Sequence, residues 1–232
     1  VKYVVRYGVL DFCNELDENE HQITLKVIDY IIRELECDDI TFSSTILAKI
    51  FNEACLLRKN SWQEDIQQYE KSMASQRENE IRRTAQDLNS ITASEKALIA
   101  RVDKQYIDNI HNYNCQYISK ALLSSEDDDV RRISTELVTD RHILSKVHSK
   151  YAKIETEVDR LTELVPRAIT EWKDAILNNE ISLIQQEIDN ISKQPNYDTS
   201  RILELMSRQV ELNNIRKELA KAIGERIVTP RK

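Results

Sequence analysis

The sequence predicts an all-α protein, built as a helical bundle followed by a long connecting helix and a C-terminal helical hairpin. Three observations predict it. Only two glycines (Gly8, Gly224) and three prolines (Pro166, Pro195, Pro230) occur in 232 residues, whereas strand-rich and α/β folds use these residues at many turns. Apolar residues recur at spacings of three and four, the period of one helix face. The breaks between these runs are polar clusters that suit helix caps. Hydrophobic residues make up 41% and charged residues 31%, which is too apolar for a disordered chain and too charged for a membrane protein. No apolar run approaches the roughly 20 residues of a membrane-spanning helix.

Taken in order, Val1 to about Cys13 reads as a first helix carrying Val4, Val5, Val9 and Leu10, and Asp17–Glu20 is a polar break. Thr24–Cys37 places Leu25, Ile28, Ile32 and Leu35 on one face, and Asp38-Asp39 ends it. Ser43 or Ser44 is placed to cap the next helix, with Ile46, Leu47, Ile50, Phe51, Ala54 and Leu57. From Ser61 to about Ile118 polar residues dominate, which predicts long exposed helices turning near 89–94, the second capped by Ser94. Ser124-Ser125-Glu126-Asp127-Asp128-Asp129 matches a helix start, where acids meet the positive end of the dipole. Val130, Ile133, Leu137 and Val138 follow, then Ile143, Leu144 and Val147.

The last third is the most regular. One segment presents Ile169, Trp172, Ile176, Leu183 or Ile184, Ile188 and Ile191. Lys193–Asp198 breaks it, with Asp198 or Thr199 ready to cap a second segment that presents Ile202, Leu205, Leu212, Ile215, Leu219 and Ile223. Over about 24 residues that second helix is ~36 Å long. Each helix of such a pair buries one face, and any remaining apolar surface needs another domain or a partner.

No catalytic constellation stands out. The glycine-dependent loops of phosphate, dinucleotide and nucleophile-elbow chemistry are missing. His142 and His148 are six residues apart, which leaves them about 120° out of line on a helix instead of the near-alignment of an i,i+4 metal pair. The acidic run 126–129 lacks the glycine and spacing of a calcium loop. Arg82-Arg83 and Arg131-Arg132 sit among acids and read as solvated faces. Trp62 and Trp172 are either interface anchors or packed core residues. The sequence therefore predicts no catalytic residue, no metal and no cofactor.

The formal net charge is -7, which disfavours direct nucleic-acid binding. Residues 1–166 hold 22 Lys+Arg against 30 Asp+Glu, and residues 167–232 hold 11 against 10, so the two parts carry -8 and +1. Four scattered cysteines (Cys13, Cys37, Cys55, Cys115) form no CxxC and point to a reducing cytoplasm. The chain opens on Val1 inside an amphipathic pattern, which predicts a piece of a longer protein.

Several segments resemble the C-terminal helicase-binding region of bacterial DnaG-type DNA primases, especially those of Bacteroidetes. Thr24–Leu35 is similar to that region's early helix. Ser124–Lys146, with Asp128-Asp129-Val130, Leu137-Val138-Thr139-Asp140-Arg141 and Leu144-Ser145-Lys146, looks like the family's DPEIS…LxSDRYxLSK stretch. Leu164-Val165-Pro166-Arg167-Ala168-Ile169 resembles its LVPRAI block, and Leu212–Lys221 followed by Gly224-Glu225-Arg226 resembles its terminal helix. The matches run in order along most of the chain; residues 63–114 have no counterpart and read as an insertion. The resemblance implies a helicase-modulating bundle over 1–165 and a helicase-binding hairpin over 166–232. It implies a non-catalytic module of a parent primase whose zinc-binding and polymerase domains lie upstream. The implied partner is the N-terminal domains of the replicative hexameric helicase.

On this reading the expected contacts are Leu212, Ile215, Arg216, Leu219, Ile223 and Arg226, laid into a groove on the helicase. Alternatively the four apolar residues close the hairpin on Ile176, Ile184, Ile188 and Ile191. The rival functional reading is a helical scaffold or adaptor for a different protein partner.

Overall fold

A computed structural model describes residues 1–16, 22–84, 93–139, 156–193 and 198–223. The protein is all-α apart from one small antiparallel hairpin, with eight helices among the described residues. The elements are α1 (Lys2–Tyr7), β1 (Asp11–Leu16), β2 (Gln22–Lys26), α2 (Val27–Cys37), α3 (Thr45–Asn60), α4 (Trp62–Thr84), α5 (Ala93–Leu123), α6 (Asp128–Val138), α7 (Leu161–Ser192) and α8 (Thr199–Ile223). Two compact units divide at Asp159/Arg160, six residues before the boundary expected from the Pro166 block. No described helix is long and apolar enough to cross a membrane.

The first unit is organised around α1. Val4 and Val5 are fully buried, and α2, α3, α5 and α6 all pack on this short helix. Gly8 allows the closest approach: a Cβ there would lie 2.5 Å from the Val4 carbonyl oxygen and 2.6 Å from Ile118 Cδ1 of α5. Glu157 ties the far end of the unit back to α1, accepting from Lys2 Nζ at 2.5 Å, Tyr7 Oη at 2.8 Å and an Arg6 guanidinium nitrogen at 3.0 Å. Burial pushes this carboxyl up, but the Lys2 and Tyr7 hydrogen bonds and the Lys2 and Arg6 charges outweigh it and hold it below the usual range.

The β-hairpin corrects two expected helices. The helix expected over Val1–Cys13 stops at Tyr7, and the one expected from Thr24 starts at Val27. β1 and β2 pair with Cys13 opposite Leu25 and Asn14 opposite Thr24. The reason is visible in the side chains. Phe12 is buried against the Tyr30 ring, 4.6 Å between centroids, and Ile23 points to solvent. A strand meets this in–out demand, and β-branched Ile23 and Thr24 favour it. The start of α2 has no side-chain cap. Its orphan donors are met by backbone instead, Val27 N–H to the Leu10 carbonyl (3.0 Å) and Ile28 N–H to that of Gly8 (2.9 Å).

Of the other expected caps in this unit, one is where the sequence placed it and two are not. Ser44 Oγ accepts from Leu47 N–H at the start of α3. Asp127, not Ser124 or Ser125, caps α6 through Asp129 and Val130 N–H, and its carboxylate also takes Lys49 Nζ. The polar stretch after Ser61 forms the antiparallel pair α4–α5. α5 begins at Ala93, so Ser94 lies inside it. The expected segment with Ile143, Leu144 and Val147 lies outside the described residues.

Candidate functional site

The second unit is the α7–α8 hairpin. α7 runs 32 residues and contains Pro166 near its start. Proline lacks an N–H and is tolerated best in the first turn; Pro166 is the sixth residue of α7, in its second turn. The residues 194–197 between the helices are outside the described set. α8 starts as expected: Asp198 Oδ1 accepts from Ser200 N–H at 2.9 Å and Arg201 N–H at 3.2 Å.

The seam between the helices is apolar at its centre and ionic along its edges. Ile184, Leu205 and Leu212 are buried together, with Leu177, Ile181, Ile188 and Ile191 packed around them. Three arginines of α8 reach three acids of α7: Arg201 to Glu187 at 2.9 Å, Arg208 to Glu180 at 3.0 Å and Arg216 to Asp174 at 2.7 Å. Gln209, next to Arg208, donates to Gln185 at 3.1 Å. The hydrogen bond and charge of Glu187 raise Arg201, and those of Glu180 raise Arg208. These rungs fix an antiparallel register, because a one-turn slip would separate all three pairs.

This seam uses some of the expected contact residues. Leu212 is 1% exposed, inside the hairpin. Arg216 is engaged with Asp174. Leu219 is half-buried, and Ile215 is 47% exposed at the edge. The side chain of Ile223 and the whole of Arg226 lie outside the described residues. On α7, Ile184 and not Leu183 turns inward, and Ile176 faces out.

Sequence reasoning missed a second apolar stripe on α8. Leu203, Met206 and Val210 are 62%, 50% and 61% exposed. At 100° per residue they fall within an arc of about 60°, centred about 140° from the direction of Leu205 and Leu212. Lys217 follows Val210 by seven residues on the same arc, is exposed, and makes no ion pair among the described residues. The signal was present: 203, 206 and 210 are spaced three and four, interleaved with 205 and 212. The two interleaved stripes mask each other in the sequence, because each fills the gaps in the other's spacing.

The set-aside candidates behave as solvated or structural groups. Arg82 pairs with Glu78, Arg131 with Asp128, and Arg132 with Asp129 and Glu136. Trp62 donates Nε1–H to Asn114 at 3.1 Å and lies under the Arg58 guanidinium and the Lys26 ammonium. Trp172 is half-buried. No group of three or more metal-ligating side chains occurs among the described residues, and His142 and His148 are not among them.

A family model described as a domain of unknown function (DUF8430) matches residues 1–97 and 85–227, and the chain belongs to this family. No curated protein and no solved structure matches it.

Proposed function

We propose that this member of the DUF8430 family is a non-catalytic, cytoplasmic adaptor that docks on the N-terminal domains of a replicative hexameric helicase. It would tether primer synthesis to the fork, as the likeness to the C-terminal region of DnaG-type primases implies. The observation that carries the proposal is the two-faced character of α8. One face closes the hairpin on α7, and a second face leaves Leu203, Met206 and Val210 in water. Burying such a stripe in a partner's groove is favourable at about 25 cal/mol per Å² of apolar area, and it is the helix-in-groove mode of recognition.

The contact set moves accordingly. Leu212 and Arg216 hold the hairpin together and shape the docking helix from behind. Leu203, Met206, Val210 and Lys217 meet the partner, with Ile215 at the edge. Lys217 calls for an acidic group about 10 Å along the groove from Val210, seven residues at 1.5 Å each. Tethering raises the effective concentration of polymerase domains at the fork without new chemistry.

The test is titration of the cognate helicase with the full chain and with two variants. Removal of residues 196–232 is expected to abolish binding. L203S/M206S/V210S is expected to weaken it by about tenfold or more while far-UV ellipticity is unchanged. Undiminished binding by the triple variant rules out this face. Absence of binding by the wild-type chain rules out the helicase and leaves an adaptor for another protein.

A further inference from the structure

The first unit carries a groove on its own surface. It lies between α2 and α3, has a volume of about 570 Å³, and is floored by Leu35, Ile40, Ala48 and the Phe42–Phe51 ring pair, whose centroids are 5.1 Å apart. That volume falls in the range of about 300–1,000 Å³ typical of binding pockets. Its rim is acidic. Glu36 and Asp39 line it, and their carboxylates have no ion-pair or hydrogen-bond partner among the described residues.

These acids stand where a helix least tolerates them. α2 ends with Asp39 N–H donating to the Glu36 carbonyl (3.3 Å) and Ile40 N–H to the Leu35 carbonyl (2.9 Å), a Schellman turn. The residue at its left-handed position is Asp39, φ 51°, where glycine is the unstrained choice. The last turn has no basic residue, so the negative end of the helix dipole is reinforced and not neutralised. Cys55, at the groove wall, is pushed up to about 11 by burial and then by the charges of Asp29 and Glu36. An apolar floor under an unneutralised negative rim is complementary to a segment with an apolar side chain followed by Lys or Arg.

We infer that the α2–α3 groove binds a basic amphipathic segment of a partner protein, its apolar face on Phe42 and Phe51 and its cation at Glu36 and Asp39. This holds whichever partner α8 takes, since the groove belongs to the other unit. Binding would supply the positive charge that the end of α2 lacks.

The experiment uses the full chain and two labelled synthetic probes, an amphipathic helix of Leu and Lys and the same peptide with Glu for Lys, read by fluorescence anisotropy. The Lys peptide is expected to bind and the Glu peptide not to. E36K/D39K is expected to weaken the Lys peptide by about tenfold or more while raising the melting temperature, because it relieves the dipole clash. A48W, which fills the floor without changing charge, is expected to weaken it similarly. E64K/E70K changes net charge equally on α4 and is expected to shift binding less than about twofold. The inference is overturned if the Lys peptide fails to bind, if E64K/E70K weakens it as much as E36K/D39K, or if folded A48W binds like wild type.

Discussion

The α4–α5 and α7–α8 pairs are both long antiparallel hairpins, and they cohere by different means. Between Ile66 on α4 and Ile118 on α5 no described apolar residue is buried. That pair is joined by a Tyr69–Tyr113 stack at 4.1 Å, a Tyr117–Asp65 hydrogen bond at 2.6 Å and an Arg77–Asp103 ion pair at 2.6 Å. The α7–α8 pair has an apolar seam with arginine rungs outside it. Its surplus apolar side chains are aligned on α8, whereas Leu98 and Ile107 of α5 stand singly. A helix pair with no buried seam opens locally at low cost; one with a seam and a surplus stripe is rigid and adhesive. This difference is why the proposed docking is placed on the second hairpin.

Removing the seam would erase that difference. Leu212→Ala is expected to cost about 2 to 5 kcal/mol, the usual range for a buried leucine in a close-packed site. Hydrogen exchange should quicken through α7 and α8 and leave α1 and α2 unchanged. A smaller cost, or exchange confined to the turn around residue 212, would mean that the rungs and not the seam hold the hairpin. The matching change in the other pair, Tyr113→Ala, is expected to cost about 0.5 to 1.5 kcal/mol beyond lost area, with faster exchange confined to α4 and α5.

The two regions were unequally legible in the sequence. The hairpin could be read because Ile184, Ile188 and Ile191 and then Leu205 and Leu212 repeat at helical spacing around a capped break at Asp198. The α4–α5 pair could be read as helices, since it holds no glycine or proline, but its partners could not: Tyr69 meets Tyr113 and Asp65 meets Tyr117 across 44 and 52 residues. The β-hairpin was hidden because Val9, Leu10, Phe12 and Cys13 fit either period, and the fixing contact, Phe12 on Tyr30, is tertiary. The exposed Leu203–Met206–Val210 stripe was hidden because two apolar stripes on one helix cancel in any reading that seeks a single face. Nothing in the sequence announces the α2–α3 groove, except that four acids crowd the end of one helix.

Alkali should separate the two pairs. Burial and the Asp65 carboxylate push the Tyr117 phenol up to about 12, and burial raises Tyr113 as well. Both folded values lie above the unfolded value near 10. Their contribution is therefore complete below pH about 10 and is lost as pH rises through about 12. The rungs of α7–α8 rely on arginine, which stays charged throughout. Far-UV ellipticity is expected to fall in a partial step across this window. In Y113F/Y117F that step should vanish. A step of equal size in the double variant would place the alkaline weakness elsewhere.

The smallest expected effect belongs to the arginine rungs. Arg208 and Glu180 are half-exposed, and such pairs contribute about 0.2 to 1 kcal/mol. Either R208A or E180A alone should barely move the melting temperature, and the double-mutant cycle should return a coupling of that order that shrinks in high salt. The informative variant is the swap, R208E with E180R. If the rungs set register, each single reversal brings like charges together and loosens the hairpin, and the double reversal restores it. Binding by the Leu203–Met206–Val210 face should then track the restored hairpin, because that stripe is presented to a partner only when Leu205 and Leu212 are held against α7. Recovery of stability without recovery of binding would show that the charges of the rungs themselves, and not the register they set, meet the partner.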